Sequence, residues 1–86
     1  MVALIPVGEG LYKVMLYKGE GIYGDVTVLE KRRNGGTTVM IVALKPNGIV
    51  KVRCKIEYGG ARRFVEFMHK IDSEGKIITP PFNIIK

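Results

Sequence analysis

The clearest hydrophobic pattern in the chain is IVKVRCKIEY, residues 49–58, where Val50, Val52, Cys54, Ile56 and Tyr58 alternate with Lys51, Arg53, Lys55 and Glu57. Side chains leave a strand on opposite faces in turn, so a period of two predicts a half-buried strand. Its apolar face belongs to a core. Its other face carries three cations in line, ~6.5–7 Å apart at the usual strand rise.

The pattern before it is also that of strands. Residues 2–7 are apolar but cut by Pro6, which predicts a short edge strand or an ordered tail. Residues 11–18 read as a strand with Tyr12, Val14 and Leu16 on one face and Lys13, Met15 and Tyr17 on the other. Gly19-Glu20-Gly21 is a tight turn. Residues 22–31 form the next strand, with Val26 and Val28 on one face and Gly24 marking a bulge or bend. Lys31, Arg32, Arg33, Asn34, Gly35 and Gly36 read as a cationic loop. Residues 37–45 are apolar nearly throughout, as in a strand that is central or covered on both faces. Pro46-Asn47-Gly48 follows, and Asn-Gly predicts a hairpin joining that strand antiparallel to residues 49–58.

After Gly59-Gly60 the period changes. Phe64, Phe67, Met68 and Ile71 stand at i, i+3, i+4 and i+7, which predicts a helix over residues 61–71. Arg62/Glu66 and Glu66/Lys70 are opposite charges four apart on its wet side, and His69 falls on that polar side as a surface residue. The expected architecture is therefore α+β: a twisted antiparallel sheet of four to five strands with one α-helix packed on one face, over Val50, Val52, Cys54 and Ile56. A single domain spans residues 1–86, with sheet and helix in 1–75 and an extended apolar tail in 76–86. Phe82, Ile84 and Ile85 in that tail either fold back onto a sheet edge or dock on a second subunit.

Composition narrows the class. At 86 residues the core is small, which favours a homodimer that shares it. The apolar runs are far shorter than the ~18–20 residues of a membrane span. The first residues lack the basic region and small-residue cleavage site of a leader. One cysteine forms no internal disulfide, so a reducing, cytoplasmic setting is the expectation. Gln and Trp are absent and charge is plentiful, a thermophile leaning.

Enzyme chemistry finds little to work with. A single His supports no His-rich metal site, and Cys54 reads as a small core hydrophobe, so a Cys54–His69 dyad is disfavoured. Gly35-Gly36 lacks the Lys-Ser/Thr of a phosphate loop. No cofactor and no metal are expected. What remains is charge: +6 at pH 7, which favours an acidic partner, nucleic acid first. Lys51, Arg53, Lys55, Arg32 and Arg33 would take phosphates, with Lys13 beside them, and Tyr17 and Tyr23 would stack on bases. The expected function is non-catalytic binding of single-stranded DNA or RNA ahead of duplex. Four strands and then a helix over residues 11–71 resemble, in element order, the unit of the Whirly-type single-strand DNA-binding proteins, which dimerise through their helices. The resemblance carries over no individual residue. The alternatives are a protein-interaction or assembly module, such as a viral or accessory subunit oligomerising through its C-terminal tail, and a regulator of another protein.

Overall fold

Two four-stranded antiparallel sheets lie face to face, with the core between them. The computed structural model describes residues 4–78 and 82–85. In chain order the strands are β1 (Ile5–Gly8), β2 (Leu11–Tyr17), β3 (Gly21–Gly24), β4 (Val26–Asn34), β5 (Thr37–Leu44), β6 (Ile49–Tyr58), β7 (Ala61–Lys70) and β8 (Phe82–Ile85). The first sheet runs β1-β2-β5-β4 and the second β3-β6-β7-β8. Among the described residues there is no helix, and hence none long and apolar enough to cross a membrane. The fold is all-β, which corrects the α+β expectation of a single sheet covered by a helix.

The expected helix is β7. It pairs with β6 along its whole length, from Tyr58↔Ala61 to Ile49↔Lys70. Gly59 (φ 57°) and Gly60 (φ 78°) both take the left-handed conformation. Two such residues between paired strands make the type I′ turn, whose twist matches that of a hairpin. A period of two then holds: Val65, Phe67 and His69 are buried, while Phe64, Glu66 and Met68 look outward and are half-buried. Of the helical stripe Phe64, Phe67, Met68 and Ile71, only Phe67 and Ile71 reach the core. With the helix gone, the likeness to the Whirly-type unit lapses.

Asn47-Gly48 does reverse the chain, but it carries it from the first sheet to the second instead of closing a hairpin. Both edges of β5 are taken by β2 and β4, and both edges of β6 by β3 and β7, so β5 and β6 have no free edge to share. The turn is tied from outside. The Lys45 N–H donates to the Asp25 carbonyl (3.1 Å), the Asn47 N–H to the Asp72 carbonyl (2.9 Å), and the Ile71 N–H to the Gly48 carbonyl (2.9 Å).

The single strand expected over residues 22–31 is two. Up to Gly24 it pairs with β6; from Val26 it pairs with β5. Gly24, at φ 119°, is the corner, and a Cβ there would run into the Ile49 carbonyl oxygen. Strands that switch sheets at such a bend close a sandwich along one side. The cationic loop is also strand: β4 continues through Asn34 and only Gly35-Gly36 turn, with Asn34 opposite Thr37.

Pro6 lies in an edge strand, next to a shift of register between Pro6 and Gly8. At the opposite edge of the second sheet, β8 pairs with β7 from Met68↔Phe82 to Val65↔Ile85, so that part of the tail lies on a sheet edge of its own chain. Residues 1–3, 79–81 and 86 lie outside the described residues. The core centres on Val14, Val42, Val50, Val52 and Ile71, each at most 1% exposed. Burying a side chain of this kind is worth about 1.5–3 kcal/mol before conformational entropy is counted. Tyr12 joins them, its hydroxyl accepting from the Ile77 N–H (3.3 Å).

Candidate nucleic-acid interface

On β6 the alternation is as the sequence implies. Val50, Val52 and Cys54 are buried, and Lys51, Arg53 and Lys55 stand on the outer face of the second sheet. What seals the inner side is the first sheet instead of a helix. Across the outer face, Lys51 lies between Tyr23 and Met68, and Arg53 lies between Gly21 and Glu66. Lys55 lies opposite Phe64. Tyr23 is exposed, its ring leaning back over Gly21 two residues away.

The three cations are not equivalent. Lys51 is exposed, whereas Arg53 and Lys55 are half-buried. The Arg53 guanidinium carbon sits 4.3 Å from the centroid of the Phe64 ring. Its Nε is buried and has no hydrogen-bond partner among the described residues. A cation over an aromatic face is held by the ring quadrupole, so Arg53 is already engaged within the sheet.

The remaining candidates separate. Lys13 and Tyr17 belong to β2 and Arg32 to β4, all on the outer face of the first sheet, on the other side of the molecule from Lys51. Arg33, next in sequence to Arg32, faces the opposite way. Neighbours on a strand always alternate; the bulge between Val28 and Glu30 decides which of the two faces in, for it puts Val28 opposite Val42, but Lys31 opposite Met40 and Arg33 opposite Thr38. An extra residue in one strand reverses the facing of everything after it. Lys31 and Arg33 therefore continue the inner side of β4 past the point where the core ends.

These residues meet at the end of the sandwich far from the Gly24 corner. There the Tyr17–Glu20 turn, Gly36 and Lys55 line a cleft of about 650 Å³. An adjoining hollow of about 310 Å³ is lined by the same turn with Lys31, Arg33, Thr38 and Met40. The turn is latched twice: the Glu20 N–H donates to the Tyr17 carbonyl (2.9 Å), and the Tyr17 N–H to Glu20 Oε2 (2.7 Å). Four cations, Lys18, Lys31, Arg33 and Lys55, thus surround one carboxylate, Glu20, that is already hydrogen-bonded. Tyr17 lines both hollows, so it meets Lys55 at the cleft although the two belong to different sheets. Lys13 and Arg32 are not among the lining residues.

Sequence reasoning missed Lys18 and counted Lys31 only within a loop extending the cation row, outside the residues named for phosphate. The signal for Lys31 and Arg33 was their spacing of two, continuing a strand, which the reading as a loop set aside.

His69 is a correction of another kind. It is 4% exposed, on the inner face of β7 opposite Val50, and neither ring nitrogen has a partner among the described residues. Burial pushes its pKa below the usual 6.5. Burial, with the charge of Glu20 adding to it, pushes the Cys54 thiol up from its ordinary value. Cys54 lies opposite Val65, four residues along the sheet from the Val50–His69 pair, or ~13 Å at the usual strand rise. The two side chains are not brought together.

No family model, curated protein or solved structure matches this chain.

Proposed function

We propose that this protein binds nucleic acid without catalysis, single-stranded DNA or RNA in preference to duplex, and that the strand enters at the basic cleft. The observation that carries this reading is the ring of Lys18, Lys31, Arg33 and Lys55 around a concave end of the sandwich that holds one acid, Glu20. Cations gathered around two adjoining hollows repel each other, and a polyanion relieves that repulsion while releasing its own counterions. From the cleft the backbone has a path outward along Lys55, Arg53 and Lys51, with Tyr17 at the mouth and Tyr23 at the far end as stacking platforms. Cationic grooves with aromatic side chains at intervals hold single strands with little regard to sequence. Lys13 and Arg32, on the opposite outer face, have no part in this path.

The test is fluorescence anisotropy with a labelled pyrimidine oligonucleotide at several salt concentrations. Lys31→Glu/Arg33→Glu should weaken binding sharply. Lys76→Glu changes a side chain on the loop after β7, outside both hollows, and should weaken binding far less. Equal losses in proportion to charge would mean that net charge alone attracts the oligonucleotide. Absence of binding at low salt would end the proposal.

A further inference from the structure

Along β5 the outer face of the first sheet is a half-buried apolar stripe where a solvated strand would carry polar groups. Val39, Ile41 and Ala43 of β5 occupy it, flanked by Met15 and Ile5, which are 41% and 43% exposed. The near-continuous hydrophobicity of β5 is thus half accounted for: Met40, Val42 and Leu44 fill the core, and the alternate set lies outside it. Contiguous apolar surface of this kind marks an interaction site. Its charges are arranged in rows. Glu30, Ile41 and Lys13 lie side by side across β4, β5 and β2, and Arg32, Val39 and Met15 form the next row. Neither Glu30 nor Lys13 forms an ion pair among the described residues.

We infer that this face binds a second copy of the chain about a two-fold axis running along β5. Such an axis lays β4 of each copy over β2 of the other at the same height. Ile41 then meets Ile41 of the second copy, and Val39 meets Val39. Glu30 of each copy stands over Lys13 of the other, so both ion pairs form at once, as a self-complementary interface requires. The match of sign is what singles out a second copy. The face carries its own counter-charges in the places the symmetry needs, and between Lys13, Glu30 and Arg32 it is far less positive than the +6 chain as a whole. About that axis three strands overlap, β2, β5 and β4, while β1 extends past the edge of the second copy's β4. At ~4.8 Å spacing and ~3.4 Å per residue over the eight residues of β5, the shared footprint is roughly 14 by 27 Å. That is below the about 800 Å² per partner of a standard interface and suits a weak, reversible dimer. An axis along the strands also leaves both basic clefts at the same end of the dimer. The inference does not depend on what those clefts bind.

The experiment is sedimentation equilibrium of the full chain without nucleic acid. The wild type should weigh as a dimer of 9.6 kDa chains. Glu30→Lys, which sets two lysines against each other, should weaken association at least about tenfold. The double variant Lys13→Glu/Glu30→Lys should restore it, and Ile41→Glu should abolish it. The far-UV circular dichroism of Glu30→Lys, a change at an exposed position, should match that of the wild type, so that lost association is not lost fold. A wild type that stays monomeric at every concentration overturns the inference, as does a dimer indifferent to both Glu30→Lys and Ile41→Glu. Oligonucleotide binding by a monomeric Ile41→Glu variant separates the failure of this interface from failure of the cleft.

Discussion

Arg53 and Phe64 sit one strand apart on the outer face of the second sheet, the guanidinium carbon 4.3 Å from the ring centroid. Glu66 is the residue paired with Arg53 across the ladder. The middle cation of the β6 row is therefore held by its neighbours before any ligand arrives. Arg53→Ala should lower stability by about 0.5–2 kcal/mol, as loss of a cation–π contact does. It should reduce oligonucleotide affinity less than Arg33→Ala does. Denaturant melts and anisotropy titrations on the two variants provide the comparison.

Salt dependence gives an independent measure of the cleft. Four phosphate contacts on a single strand correspond to a slope of log Kobs against log salt near about −3. Removing Lys31 and Arg33 together should flatten it by roughly 1.4. A slope unchanged in the double variant would place the contacts elsewhere.

His69 makes stability depend on pH. Its folded pKa lies below the ordinary 6.5 because burial disfavours the imidazolium. Above pH 6.5 both states are neutral at this residue and the full stability is present. As pH falls below 6.5 the unfolded chain takes up the proton first, so stability declines until the folded value is passed. His69→Leu should remove that decline. At neutral pH it should also stabilise the fold by about 1 kcal/mol, since two unpartnered nitrogens leave the core. Urea melts of both proteins at pH 7.5 and about 5.5 read the difference.

Gly24 is the position where any side chain should be costly. At φ 119° an L-residue is strained, and the Ile49 carbonyl stands where a Cβ would go. Gly24→Ala should destabilise by about 3 kcal/mol or more. Gly36→Ala, with nothing near its Cβ and no positive φ, is the mild control for the same melts.

Phe67 lies in the core, 5% exposed, paired with Val52 across the β6–β7 ladder. Phe67→Ala should cost about 3–5 kcal/mol, while Phe64→Ala on the outer face should cost clearly less. Equal losses would contradict the strand geometry of β7.

Alternation by itself determined much of this protein. It assigned the inner faces of β2 and of β6 as far as Cys54 residue by residue, because the direction of a side chain on a strand depends only on the local backbone. It also determined that Lys51, Arg53 and Lys55 face away from the core, and it marked Gly24 as a bend and Pro6 as an edge. Tertiary structure decided the rest. Residues 61–70 satisfy a helical stripe and a strand alternation at once, and the choice fell to the pairing edge that β6 offers across Gly59-Gly60. Asn47-Gly48 encodes a reversal, but whether the strands it joins also pair depends on which edges β2, β3, β4 and β7 have already filled. The cleft depends on the bulge before Glu30, which turns Lys31 and Arg33 to the inner side in place of Glu30 and Arg32. Each of these is settled by hydrogen bonds between residues distant in the chain, a quantity that local patterning does not contain.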